Sequence, residues 1–108
     1  MTVIVNFGGY DMKNVEIKGL DLLIEALLSL ESAEECAEFL EDVMTPKEMG
    51  DISQRMLVAK LLSEQAVYSK IVEETGASTA TISRVNRSYN YGSGGYGKIL
   101  EKITGERK

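Results

Sequence analysis

Between Glu74 and Val85 the chain reads ETGASTATISRV, with one glycine followed by Ser78, Thr79, Thr81, Ser83 and Arg84, and with Arg87 close behind. A hydroxyl offers one donor and two acceptor lone pairs, and a guanidinium offers a planar fork that matches guanine edges or phosphate. That chemistry suits recognition of a polar, anionic polymer; it contains no bond-breaking constellation. Hydroxyl residues after a glycine also serve as ordinary caps and turns, so their spacing has to decide. Ile71 lies five residues before Gly76, and Ile82 and Val85 lie six and nine after it. Three apolar side chains so placed can meet between two short helices that cross at a glycine turn, which is a helix-turn-helix over about residues 67–88. On a helical wheel the arc opposite Ile82 holds Ala80, Ser83, Arg84 and Arg87, and the first turn adds Thr79 and Thr81. Small residues there let the backbone approach a major-groove floor. Thr79, Ala80 and Ser83 are placed to read bases, Arg87 and Lys70 to reach phosphates, and Arg84 suits either task.

The surrounding pattern is helical. Leu20, Leu23, Ile24, Leu27 and Leu28 recur at amphipathic spacing. Ser32 and Glu35 have the spacing of a capping box, and the helix they start carries Ala33, Cys36, Ala37, Leu40, Val43 and Met44 on one face. Thr45-Pro46-Lys47-Glu48 is a second start signal, with proline at the first helical position. Its apolar stripe runs Met49, Ile52, Met56, Ala59, closing with Leu61 and Leu62. A short helix from Val67 to Thr75 precedes Gly76, and Ser78 or Thr79 caps the next, which runs through Ser88. The glycine-rich stretch YNYGSGGYGK then reads as a flexible connector, near which Tyr89, Tyr91 and Tyr96 pack, before a last helix around Lys98–Thr104. Residues 1–16 have β-type residues but no evident partner strand and read as a flexible arm ahead of one helical domain, 17–108. The fold class is all-α. The first two helices offer more apolar surface than so small a monomer can cover, which predicts an obligate homodimer with these helices crossing between subunits.

Composition narrows the function classes. The 108 residues include no His and a single Cys, Cys36, so neither a Ser-His nor a Cys-His pair nor an intrachain disulfide can form, and no enzyme is expected. Cys36 lies on an apolar stripe and reads as a buried thiol. The acidic run Glu34, Glu35, Glu38, Glu41 and Asp42 has the spacing of a solvated helix face. Neither cofactor nor metal is expected. No apolar run approaches membrane-spanning length, and the N-terminus lacks the basic segment of a signal peptide, so a cytoplasmic location away from membranes is expected. GSGGYGKI at 92–99 has the spacing of a phosphate-cradling loop, but it lacks the hydroxyl residue after Lys98 and any preceding strand. The net charge of −5 is uneven: residues 1–50 hold 3 Lys/Arg and 11 Asp/Glu, residues 51–108 hold 9 and 6, and no acidic residue lies between Glu74 and Glu101. This locally basic second half frames the helix-turn-helix. The overall negative charge favours the alternative, a helical protein–protein interaction module that has lost DNA binding.

From Leu20 to about Ile103 the sequence resembles the Trp-repressor-like proteins of the YerC/YecD group. The resemblance rests on TPKE at 45–48, VAKLL at 58–62, TGASTATISR at 75–84 and NYG at 90–92. It implies an intertwined helical homodimer presenting two helix-turn-helix units to a palindromic operator in double-stranded DNA, as a transcriptional repressor. It also implies an effector pocket around Arg84 and Ser88, with Gln54 or Arg55 at the position of a second arginine. Val85 stands where the tryptophan repressor has the glycine that makes room for indole. The resemblance therefore implies a small-molecule effector of unidentified chemistry, with tryptophan disfavoured.

Overall fold

In a computed structural model, residues 6–7, 10–11 and 17–106 are described. The other residues of the expected N-terminal arm lie outside the described set. Asn6–Phe7 (β1) pairs antiparallel with Tyr10–Asp11 (β2), Asn6 opposite Asp11 and Phe7 opposite Tyr10, so a partner strand that sequence reading did not find lies four residues on.

Six helices follow among the described residues. They are α1 (Leu20–Ser29), α2 (Ala33–Val43), α3 (Pro46–Ser63), α4 (Tyr68–Thr75), α5 (Thr79–Tyr91) and α6 (Gly95–Glu106). The start signals work as their chemistry requires. Ser32 Oγ accepts from the Glu35 amide (3.1 Å), one of the two bonds of the expected box. At α3 both bonds form: Thr45 Oγ1 accepts from Glu48 N (3.1 Å), and Thr45 N donates to Glu48 Oε1 (2.9 Å). The Thr45 amide, helped by its hydroxyl, holds the Glu48 carboxyl below its ordinary range.

Helix α3 is the post on which the second half of the molecule is built, with α4, α5 and α6 all packed against it. The core unites Val58, Ala59 and Leu61 of α3 with Ile71 of α4, Ala77 of the turn, and Ile82 and Val85 of α5. Leu62, Ala66, Tyr89, Tyr96 and Leu100 pack around it. The stripe expected on α3 is thus corrected. Val58 belongs to the core, whereas Ile52 stays exposed, because α4 and α5 cover the C-terminal half of α3. The end of α3 is a Schellman closure: Ala66 N donates to Leu61 O (3.0 Å) and Gln65 N to Leu62 O (3.0 Å). It forces Gln65 to φ 63°, the left-handed region.

Helices α1 and α2 bury no residue at all. Leu22 and Leu28 are 70% and 80% exposed, and Leu23, Leu27 and Val43 are exposed as well. Cys36, expected to be buried, is only half-buried on this uncovered face. The C-terminal elements also differ from expectation. Helix α5 continues to Tyr91 and α6 begins at Gly95, so the expected long connector shrinks to Gly92-Ser93-Gly94. Tyr89 and Tyr96 pack on the core, while Tyr91, at 77% exposure, does not.

The backbone at Gln65 and Gly76 predicts opposite responses. A left-handed conformation costs an L-residue about 1 kcal/mol. Gln65→Gly raises unfolding free energy by up to about that amount, and Gly76→Ala lowers it similarly, since open space rather than a clash surrounds the added methyl. Urea unfolding of the two variants reads both signs.

Candidate nucleic-acid interface

The turn between α4 and α5 is fixed by a short set of bonds. Gly76 adopts φ 69°, and its amide donates to Val72 O (2.9 Å), closing α4. Thr75 Oγ1 donates to Ile71 O (2.7 Å) and accepts from Ala77 N (3.1 Å), so one hydroxyl ties the helix end to the turn. From across the core, Gln54 Nε2 of α3 donates to Thr75 O (3.1 Å). Ser78 is the N-cap of α5: its Oγ accepts from Thr81 N (3.1 Å) and donates to Thr81 Oγ1 (3.1 Å). Ile71, Ile82 and Val85 are fully or almost fully buried beneath these bonds. The three apolar residues that defined the motif in the sequence therefore meet in one core.

With that side of α5 held inward, its other faces are fixed. Thr79, Ala80, Ser83, Arg84 and Arg87 are exposed. The helical repeat of about 3.6 residues turns Ala80 and Arg87 directly away from the core and sets Ser83 and Arg84 on the two flanks of that arc, Arg84 one turn before Ser88. Thr81 separates from this group, being half-buried with its hydroxyl engaged by Ser78. Lys70 is exposed on α4 and pairs with Glu74 at 3.8 Å. An exposed pair of this kind is worth about 0.3–0.5 kcal/mol, so it does not keep Lys70 from a phosphate. Arg84 and Arg87 form no ion pair among the described residues.

Beside the open arc lies a cleft of about 430 Å³ where α3, α5 and α6 converge. Arg55 and Met56 line it from α3, Arg84, Val85 and Ser88 from α5, Gly92 and Ser93 from the connector, and Gly95, Tyr96 and Ile99 from α6. Of the five residues expected around an effector, four line this space. Gln54 does not. Its amide is committed to the Thr75 carbonyl, and the adjacent position, Arg55, faces the cleft instead. Val85 is 2% exposed and belongs to the core while forming part of the cleft wall, so its side chain takes up room there. The contributions of Met56, Ser93, Gly95, Tyr96 and Ile99 were missed in the sequence, because no spacing rule says that α6 returns against α3. Gly92 alone carries a local signal: a Cβ there would collide with the Ser88 carbonyl oxygen, so only glycine allows α5 to end as it does.

A profile of the family described as Trp repressor protein matches residues 18–104, nearly the whole described helical region. The chain belongs to the Trp repressor family. It is 48% identical over 86 residues to the uncharacterised protein YerC of Bacillus subtilis (strain 168), spanning 80% of this chain and 83% of that one. Among solved structures, a TrpR-like protein from Eubacterium eligens ATCC 27750 superposes with a TM-score of 0.78 at 49% identity, over 82% of this chain and 91% of that chain. A protein of Staphylococcus aureus described as a candidate Trp repressor superposes with a TM-score of 0.79 at 43% identity, over 83% and 90%. The Trp repressor family is one of regulatory DNA-binding proteins and not of enzymes. The all-α, Trp-repressor-like fold read from the sequence is the fold observed.

The position of Gln54 separates a structural from a ligand-binding role. Gln54→Leu removes a half-buried hydrogen bond to the turn and should cost about 0.5–1.5 kcal/mol in urea unfolding. A Gln54→Leu chain of unchanged stability would show that the turn does not depend on this bond.

Proposed function

We propose that the protein is a sequence-specific DNA-binding transcriptional regulator, a repressor that reads a palindromic operator as a homodimer. The observation that carries this reading is the α5 face: exposed Ala80, Ser83, Arg84 and Arg87, no acidic residue, and a turn already set by Thr75, Gln54 and Gly76. Membership of the Trp repressor family supports it. Thr79, Ala80 and Ser83 read base edges, Arg84 reaches a base or a phosphate, Thr81 chiefly bonds to the Ser78 cap, and Arg87 and Lys70 hold phosphates. The cleft around Arg55, Arg84, Val85 and Ser88 is the effector site, where Val85 disfavours the indole of tryptophan. No helix among the described residues is long and apolar enough to cross a membrane, and a regulator of this kind works in the cytoplasm beside the DNA.

The uncovered apolar faces of α1 and α2 support the dimer. Leaving Leu22, Leu27 and Leu28 in water forgoes about 25 cal/mol for every Å² that a partner could cover. A second copy supplies matching faces and sets two α5 helices about 34 Å apart, one turn of DNA. Sedimentation at micromolar concentration should give a dimer; a monomer would exclude the arrangement. The net charge of −5 supports a second reading, a helical interaction module without DNA binding.

Selection of bound fragments from a random DNA pool decides between the two and yields the operator. On that operator, Arg87→Ala or Lys70→Ala should weaken all sequences alike and reduce the slope of log K against log salt by about one per contact, or about two per dimer. Thr79→Ala or Ser83→Ala should instead change which operator variants bind best, each lost base contact costing about 1–3 kcal/mol with the slope nearly unchanged. If no DNA is enriched and all four variants behave as the parent, the interaction module is the correct reading.

A further inference from the structure

The cleft has an electrostatic character that bears on what fills it. Arg55 and Arg84 reach it from different helices, and neither forms an ion pair or a side-chain hydrogen bond among the described residues. Among the described residues no Asp or Glu lines it, while Met56, Val85, Tyr96 and Ile99 give it apolar walls. Two unpaired guanidiniums around one space attract an anion and, with no carboxylate beside them, repel an ammonium group. The first turn of α6, at Gly95 and Tyr96, borders the same space with amides that no helical carbonyl reaches. A zwitterionic amino acid would bring a positive group to walls that offer it no counter-charge. A doubly charged phosphate head on a small apolar body matches both parts of the lining.

Arg84 belongs to two sites at once, because it lines the cleft and stands at the edge of the exposed arc of α5. The helix-turn-helix itself is complete without a ligand: its core residues are buried, its turn is hydrogen-bonded, and Val85 fills part of the cleft. An occupant therefore has no reading element to assemble. It adds negative charge beside the DNA-facing arc and takes up a guanidinium that DNA would otherwise use. We propose that the cleft binds a small organic phosphomonoester between Arg55 and Arg84, and that this anion competes with DNA for Arg84, so that the ligand releases the operator. The inference rests on the DNA-binding reading.

Phenyl phosphate serves as the probe, with inorganic phosphate as the head alone and L-tryptophan as a zwitterion, all at ionic strength held constant with potassium chloride. Calorimetry on the full-length dimer should show saturable phenyl phosphate binding, weaker binding of inorganic phosphate and none of tryptophan. The Arg55→Met variant, its fold checked by circular dichroism, should bind phenyl phosphate about tenfold or more weakly, the weight of one lost charge-assisted contact. Saturating phenyl phosphate should lower operator affinity about tenfold, and in Arg55→Met the ratio of affinities with and without it should approach one. Absence of saturable heat, equal binding by Arg55→Met, or a response to tryptophan in place of phenyl phosphate overturns the anion site. Binding that leaves operator affinity unchanged or raises it overturns the competition. If random-pool selection enriches no DNA, the regulator reading fails and the competition falls with it, while the calorimetric arms still decide the anion site.

Discussion

The left-handed backbone at Gly76, held at φ 69°, is the constraint on which the second half of the molecule depends. An α-helix that ends there can reverse within three residues, and only that reversal lets Ile82 and Val85 of α5 reach Ile71 of α4 and Val58 of α3. If the turn were opened, the core would lose its contacts and α5 would lose its orientation in the same step. The polar bonds around the turn act in concert with this. Thr75 bonds on both sides of the reversal through one hydroxyl, and Gln54 anchors the carbonyl that the turn leaves without a helical partner. Loss of this half-buried bond would cost about 0.5–1.5 kcal/mol. Orientation of the exposed α5 face is thus a consequence of core packing.

The same packing divides the chain into two kinds of apolar surface. From Val58 onward, aliphatic side chains close on one another within the chain. Before that point α1 and α2 carry comparable apolar stripes and bury nothing. The charge division runs in parallel, since acidic residues dominate the first fifty positions and are absent from 75 to 100. The molecule thus joins an acidic, apolar-faced first half to a locally basic second half.

Arg84 and Arg87, three residues apart on one helix, face different surroundings. The step between them turns Arg87 wholly outward and leaves Arg84 beside Ser88 at the mouth of the cleft. That cleft exists because Gly92 lets α5 end against its own Ser88 carbonyl and because the short Gly92-Ser93-Gly94 connector brings α6 back across α3 and α5. Arg55, twenty-nine positions before Arg84 in the sequence, completes the lining.

Local chemistry in the sequence determined the helices and the recognition motif. Thr45-Pro46-Lys47-Glu48, Ser32 with Glu35, Gly76 and Ser78 specify starts and stops through hydrogen bonds that span at most a few residues. The spacing of Ile71, Ile82 and Val85 around Gly76 leaves one way to bury all three. Other features have no local determinant: the β1–β2 pairing, the left-handed conformation of Gln65 at a residue other than glycine, the continuation of α5 to Tyr91, and the bond that takes Gln54 to the turn and away from the cleft. Only the tertiary structure decided that Arg55 and Arg84, twenty-nine positions apart, line one cleft. The physical reason is range: a cap or a turn is settled within one helical turn, whereas the meeting of α3, α5 and α6 depends on how every side chain in the shared core packs at once.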